Sequence, residues 1–226
     1  MTCIVALKDG EDIWFGGDSA ATDFGSLNRS QISFPKVFSK RTPEGDVALF
    51  GFSGSFKIGQ LLKYRFIFPE RTKNCEDDLE YLTCAFSETL RGVLNDAGFL
   101  STDDDATHHI GNSEFLLAYR GNIYMVFGSF EILHVTDPFN ASGSGSDFAL
   151  GSLHTTEELS RIKPKDRCLL ALQTAEKYNA GVKAPFTIVS LKEEEKKFKK
   201  KQKKLDKENK PTGADEDFFD GKIGFK

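Results

Sequence analysis

A chain of 226 residues, 39 % hydrophobic and 28 % charged, is long enough for one domain with a substantial core. Its formal net charge of -4 argues against a nucleic-acid partner, and no apolar run approaches the roughly 20 residues that span a bilayer, so no membrane partner is expected. Met1-Thr2-Cys3-Ile4-Val5-Ala6 lacks the basic flank and long apolar stretch of a secretory signal, and Cys3, Cys75, Cys84 and Cys168 form no CxxC pair, so a reduced, cytoplasmic protein is expected.

The chain opens as a hairpin. Cys3 to Leu7 is apolar, Asp9-Gly10 is a two-residue turn signal, and Ile13-Trp14-Phe15 returns. A second pair follows, with Ser30 to Ser39 entering and Asp46 to Phe52 leaving across Thr42-Pro43-Glu44-Gly45. Phe56 to Phe68 and Asp78 to Asp96 carry apolar residues at helical spacing, closed by Pro69 and Gly98. Strands return at Glu114 to Tyr119, Asn122 to Phe127 (joined at Arg120-Gly121) and Ile132 to Val135. A small-residue helix begins near Asp147, another runs from about Lys165 to Tyr178, and Phe186 to Leu191 is a last strand. Paired helices among mostly antiparallel strands indicate a layered α+β sandwich rather than βαβ units.

Composition then changes. Lys192 to Lys210 holds ten lysines and five acids, which cannot bury enough surface to fold alone. The expected organisation is a folded domain over 1–191 and a charged C-terminal tail over 192–226. The tail is read as a solvated helix or disordered chain, and its end, with Phe218, Phe219, Ile223 and Phe225, is open to partner contact.

The residue with most chemical reach is Thr2. A threonine at the chain start can act without a histidine, because its own α-amine, with a pKa of about 8, can take the hydroxyl proton. Met1 must first be removed, and a small second residue such as threonine permits that. Taken alone, Thr2 is more simply an ordinary first-strand residue. The hairpin adds to it: with Asp9-Gly10 as the loop, Thr2 falls opposite Gly17, and Asp18 lies within one residue. Which face Asp18 takes stays open, since a bulge at Gly16-Gly17 would turn it over.

Gly16-Gly17-Asp18-Ser19-Ala20-Ala21-Thr22 after Thr2-Cys3-Ile4-Val5-Ala6 resembles the opening of proteasome β-subunits and of HslV-like peptidases. Phe34-Pro35-Lys36-Val37-Phe38 resembles the segment bearing that family's active-site lysine. Phe52-Ser53-Gly54-Ser55 resembles its oxyanion-hole turn, and Gly143-Ser144-Gly145-Ser146 its glycine-serine-glycine motif. These four segments follow in the family's order, and the resemblance covers Thr2 to about Leu191. The resemblance implies a four-layer αββα sandwich of the N-terminal-nucleophile hydrolase superfamily. It also implies a threonine-type endopeptidase whose catalytic residues are Thr2, Asp18, Lys36, Gly54 and Ser144.

In that scheme Thr2 Oγ1 attacks the scissile carbonyl and the freed Thr2 amine moves the proton. Lys36 supplies a fixed positive charge, Asp18 orients it, the Gly54 amide stabilises the oxyanion, and Ser144 supports the amine. Thr22 holds extended substrate and Phe52 lines a specificity pocket. The resemblance further implies a homo-oligomeric ring, an ATPase unfoldase partner and polypeptide substrates. No propeptide is expected before Thr2, which would be more like HslV than like many proteasome subunits. One departure is evident. The family usually places an aspartate and a serine in the loop after the last helix, where this chain reads Tyr178-Asn179-Ala180-Gly181-Val182, so Asn179 is the supporting candidate. A catalytically inactive scaffold subunit, and an N-terminal-nucleophile amidase or transpeptidase, are the alternative readings.

Other signals are weaker. His108-His109 beside Asp103-Asp104-Asp105 reads as a solvated turn rather than a metal site, and neither a metal nor a cofactor is expected. The glycine-serine segment lacks the lysine of a phosphate loop. Cys3 alternates away from Thr2 and is expected in the core.

Overall fold

The computed structural model describes residues 1–22, 29–72, 75–102, 108–111, 113–159 and 161–208. The opening hairpin is β1 (Ile4–Asp9) and β2 (Asp12–Gly17), with Ile4 facing Gly17 and Asp9 facing Asp12. Its loop is therefore Gly10-Glu11 rather than Asp9-Gly10, and each pairing slides by two residues. Gly10 has φ +58 while Glu11 is not among the positive-φ residues. That fits a II′ turn, which wants glycine at its first central position, whereas an Asp-Gly pair suits a I′ turn with both positive. A slide of two leaves every side chain on its expected face.

The next expected strand, Ser30 to Ser39, is two strands. β4 (Arg29–Gln31) pairs with β3 (Ala20–Thr22), and β5 (Val37–Arg41) pairs with β6 (Val47–Ser53). Pro35 lies between β4 and β5, where a residue without an N–H interrupts a ladder least. Helix α1 (Phe56–Tyr64) starts at Ser55, whose side chain accepts from the Lys57 N–H. It ends before Phe66 and Phe68, which are buried in the core. The expected helix over Asp78 to Asp96 consists of α2 (Asp78–Tyr81) and α3 (Ser87–Asp96) joined by a π-helical turn, Leu82–Phe86. Ladder and turn elements follow: β7 (Ser101–Thr102) with β8 (His108–His109), then β9 (Glu114–Tyr119), β10 (Asn122–Val126) and β11 (Ile132–Val135). Arg120 and Gly121 both have positive φ, 46 and 80, as a I′ loop requires.

A strand that the pattern did not announce, β12 (Phe139–Ser142), precedes α4 (Ser146–Thr155), α5 (Pro164–Tyr178), β13 (Thr187–Ser190) and α6 (Leu191–Glu208). The strands make a four-stranded sheet, β12-β1-β2-β13, and a five-stranded sheet, β11-β10-β9-β6-β5, besides the two short pairs. The large sheets face each other closely: a Cβ added to Gly51 of β6 would lie 2.4 Å from Ile4 Cγ2 and 3.3 Å from Phe15 Cδ2. On the outside of the five-stranded sheet, Phe38, Phe50, Phe66, Phe68, Phe86 and Phe115 form an aromatic core with Leu62, Leu90 and Leu94. Their rings meet edge-on, tilted or stacked: Phe66 and Phe86 lie edge-on at 5.1 Å, and Phe38 and Phe50 stack at 5.6 Å. On the outside of the four-stranded sheet, α4 and α5 bury Cys3, Val5, Leu153, Cys168 and Leu172. The result is a four-layer αββα sandwich.

Met1–Glu195 is one compact unit and Lys196–Lys226 a second, of which 196–208 are described, as helix. Within the first unit, the opening turn of α6 is tied down: Lys192 N donates to Asp12 Oδ1 at 3.0 Å and Ser39 Oγ to Glu194 Oε2 at 2.5 Å. No helix among the described residues is long and apolar enough to cross a membrane. Asp103–Asp105 beside the histidine pair, and the phenylalanines of the C-terminal end, lie outside the described residues.

Candidate active site

Three buried side chains from the start of the chain meet at one edge of the sandwich. Thr2, Asp18 and Lys36 are 4 %, 3 % and 1 % exposed. Lys36, just ahead of β5, reaches across the gap between the sheets and donates from Nζ to Asp18 Oδ1 at 2.8 Å and to Thr2 Oγ1 at 3.0 Å. The space it crosses exists because β2 ends in glycine: a Cβ on Gly17 would lie 3.5 Å from Lys36 Cβ and 3.0 Å from Val37 Cγ1. The open question of the Asp18 face is thus answered toward Lys36.

A charge this deep is tolerated only when paired and hydrogen-bonded. Asp18 receives four donors: Lys36 Nζ, the Cys3 N–H at 3.0 Å, the Ala20 N–H at 2.9 Å and the Lys183 N–H at 3.3 Å. The Lys183 backbone had no sequence signal, because a main-chain donor reads the same whatever residue bears it. Burial lowers the Lys36 pKa from its ordinary range, with Asp18 pulling the other way. Cys3 sits in the adjoining core, its thiol pushed up to about 12 by burial and by the Asp18 charge, so it stays protonated and is no rival nucleophile.

The main chain of Thr2 is held by the segment after β12. Thr2 N–H donates to Ser144 Oγ at 3.2 Å, and the Thr2 carbonyl accepts from Gly145 N–H at 3.1 Å. Gly143 makes this approach sterically allowed, for it has φ +94 and a Cβ there would stand 2.5 Å from Thr2 O. Asn179, at the end of α5, donates from Nδ2 to the Ser144 carbonyl at 2.6 Å and lies 3.3 Å from Ser144 Oγ. Its Oδ1 also accepts from Gly181 N–H at 2.9 Å. Asparagine thus fastens the Ser144 turn to the α5 loop by neutral hydrogen bonds. Met1 precedes Thr2, and Thr2 Oγ1 donates to its carbonyl at 2.7 Å. The Met1 side chain lies against Gly181, where an added Cβ would come within 2.0 Å of Met1 Cβ. Burial, and then the Lys36 charge, lower the pKa of the terminal amine.

The remaining expected residues are placed around this centre. Gly54 follows β6 at φ +92 and is exposed, with a hypothetical Cβ meeting Ser113 Oγ at 2.5 Å. Its neighbour Ser53 packs on Gly143, 3.3 Å from that residue's hypothetical Cβ, so β6 ends beside the Thr2 segment. Thr22 lies in β3, its Oγ1 buried and without a hydrogen-bond partner among the described residues. Phe52 differs from expectation: it is 1 % exposed and points to the helix side of β6, covering Gly59, so it does not form a pocket wall. The alternation of β6 dictates this, Gly51 and Ser53 facing the other sheet while Phe50 and Phe52 face α1. Phe52 instead supports the half-buried Phe34 and Phe56, at ring distances of 5.9 Å each, and the Phe56 ring lies 5.7 Å from Lys36 Nζ.

No family model matches the chain, and no curated protein matches it in sequence. Solved structures do match in fold. A structure of Thiobacillus denitrificans BPH is similar with a TM-score of 0.64 and 17 % identity, over 83 % of this chain and 96 % of that one. Eukaryotic HslV from Trypanosoma brucei has a TM-score of 0.56 and 17 % identity, over 83 % and 98 %. Anbu, the ancestral beta-subunit from Yersinia bercovieri, has a TM-score of 0.57 and 21 % identity, over 84 % and 81 %. The fold is that of the proteasome-like N-terminal-nucleophile hydrolases.

Proposed function

We propose that this chain is a threonine-type endopeptidase subunit in which Thr2 becomes the N-terminal nucleophile once Met1 has been removed. The observation that carries the reading is the contact of one buried lysine ammonium with both the Thr2 hydroxyl and the Asp18 carboxylate. A cation at that distance favours the alkoxide over the hydroxyl and disfavours protonation of the nearby amine. Removal of Met1 frees the Thr2 nitrogen, which already points at Ser144 Oγ. The amine, through a water, takes the hydroxyl proton as Thr2 Oγ1 adds to the scissile carbonyl. The Gly54 N–H stabilises the oxyanion, a single donor of this kind contributing about 3 kcal/mol. The leaving amine takes the proton, and water then hydrolyses the threonyl ester.

Thr22, with its unpartnered hydroxyl on β3, is assigned to hold an extended substrate. The aromatic surface beside the nucleophile is assigned to Phe34 and Phe56. Likeness to HslV and to Anbu, one structure of which is described as a helical assembly, supports a homo-oligomeric subunit, and a ring fed by an ATPase unfoldase is the proposed setting. The four free cysteines are consistent with a reduced cytoplasmic compartment.

Epoxomicin, seen bound to Thiobacillus denitrificans BPH, is the natural probe. Intact-mass spectrometry is expected to show loss of Met1 and, after incubation, one epoxomicin adduct mapping to Thr2. Thr2→Ala should keep its fold and native mass while losing adduct and peptide hydrolysis by a factor of at least about 1000. A processed wild type that neither hydrolyses peptides nor takes the adduct would move the reading to an inactive scaffold. Acyl transfer to added amines in place of hydrolysis would move it to a transpeptidase.

A further inference from the structure

The two segments that flank Thr2 belong to different sheets. The end of β6 carries Gly54, and the end of β12 leads into Gly143-Ser144. A polar chain of two buried serines and the half-buried Glu114 joins them. Ser53 Oγ and Ser142 Oγ are 2.8 Å apart, and Ser142 Oγ donates to Glu114 Oε1 at 2.8 Å. Ser53 is 4 % exposed and Ser142 1 %. The ladder registers explain how three residues so far apart in sequence converge: Ser53 faces Glu114 across β6 and β9, while Ser142 faces Ile4 across β12 and β1.

The chain of bonds has a direction. Ser142 Oγ donates to the Glu114 carboxylate, and the Ser53 hydroxyl lies within reach of both Ser142 Oγ at 2.8 Å and the Glu114 carbonyl at 3.5 Å. Were Ser142 to donate to Ser53 instead, the Glu114 carboxylate oxygen would face only a hydroxyl lone pair there. Ile4, Phe15, Val37 and Leu116 are all buried, so the two hydroxyls depend on each other and on the Glu114 carboxylate and carbonyl. Gly143 lies directly between the two sheets here. A Cβ on it would be 2.5 Å from Thr2 O and 3.3 Å from Ser53 Cβ, so a small shift of β6 against β12 is felt at Thr2.

Resting on the peptidase reading, we propose that Glu114 is a positioning residue: acting through Ser142 and Ser53, it fixes the Gly54 amide relative to the Thr2–Ser144 pair. It touches neither substrate nor nucleophile. Its contribution is to the distance between the oxyanion donor, on one sheet, and the attacking oxygen and its amine, on the other. Such a distance matters more in the transition state than in substrate binding, so kcat should respond and KM should not.

Glu114→Ala is expected to lower kcat by roughly 100-fold with KM within about twofold, the size of effect that a shift of about an ångström produces. Ser142→Ala, a smaller change, should act in the same direction. Glu114→Gln keeps an acceptor oxygen toward Ser142 and should restore kcat to within about threefold of wild type, since a neutral acceptor loses only part of a charged one's strength. Hydrogen exchange, which needs no activity, should quicken together in segments 52–55 and 142–146 of the alanine variants and remain near wild type in Glu114→Gln. Exchange rising on one side only, an unchanged kcat in both alanine variants, or no recovery in the glutamine variant would overturn the proposal. If the processed wild type hydrolyses nothing, the peptidase reading falls by itself and the paired exchange response still decides whether Glu114 couples the two segments.

Discussion

Lys36 and Asp18 make opposite demands on each other's surroundings, and pH can separate them. Burial disfavours the lysine cation, whereas the Asp18 charge and its hydrogen bond favour it, and burial is the larger effect. The Lys36 proton is therefore lost at lower pH than from an exposed lysine, whose pKa is about 10.4. If the cation assists Thr2, the alkaline limb of kcat/KM falls below that value. Asp18→Asn removes the influence that raises the Lys36 pKa, so the alkaline limb should move to still lower pH. A pH–rate profile of the two proteins checks the sign; an unmoved limb would detach Asp18 from the lysine's charge. In the proposed mechanism the acidic limb is set by the amine; burial and Lys36 lower the terminal amine from about 8 at the Met1 position, and the same two causes are expected to act on a freed Thr2. Asp18→Ala is harsher, because it leaves Lys36 as an uncompensated buried charge. Chemical denaturation should report a loss of about 3–5 kcal/mol.

At the scale of elements, the turn after β12 carries most of the geometry. Gly143→Ala would require a left-handed backbone and place a methyl 2.5 Å from Thr2 O, a backbone atom that cannot step aside. The Thr2 carbonyl should then lose its bond to Gly145 N–H, and kcat should fall roughly 100-fold, as expected for a misplaced nucleophile. Gly151→Ala in α4 is the control. Nothing lies within 4 Å of its Cβ, so activity should hold and stability rise by about 0.5–1 kcal/mol. The element pattern was legible wherever an apolar run bounded by turns or a helical spacing was strong, as in β1, β9, β10 and α3. It failed where backbone geometry decides: the Gly10-Glu11 loop, the π-helical turn between α2 and α3, and β12, whose Phe-Asn-Ala-Ser sequence has no strand signature. The site was marked in the sequence by side-chain chemistry, and the structure brings Thr2, Asp18, Lys36, Ser144 and Asn179 together, their roles being those proposed above. It was illegible for the Lys183 amide and for Ser142 and Glu114, which matter only through pairings set by strand register. Phe52 was misplaced because a motif position does not reveal which face of a fully buried strand it takes.

At the scale of the whole chain, composition changes at the start of α6, but the change in composition and the end of the folded body need not coincide. The expected break was after Leu191. Yet Lys192 N bonds Asp12, Glu193 N bonds Ser190 Oγ, and Glu194 accepts from Ser39, all within the unit Met1–Glu195. Removing them would strip hydrogen-bond partners from Ser190 at the end of β13, Asp12 at the start of β2 and Ser39 in β5. Beyond Glu195 the sequence is Lys196-Lys197-Phe198-Lys199-Lys200-Lys201-Gln202-Lys203-Lys204-Leu205, with seven lysines and no acid. Such a stretch adds like-charge repulsion and little apolar burial. A chain ending at Glu195 should therefore melt cooperatively within a few degrees of the full protein, a shift of about 1 kcal/mol corresponding to roughly 2–4 °C at this size. A chain ending at Leu191 should melt lower than that, because it loses the bonds to Asp12 and Ser39. Calorimetry on the two truncations settles the order. Equal melting would return the boundary to Leu191, and collapse of both would mean that the lysine-rich helix belongs to the folded body.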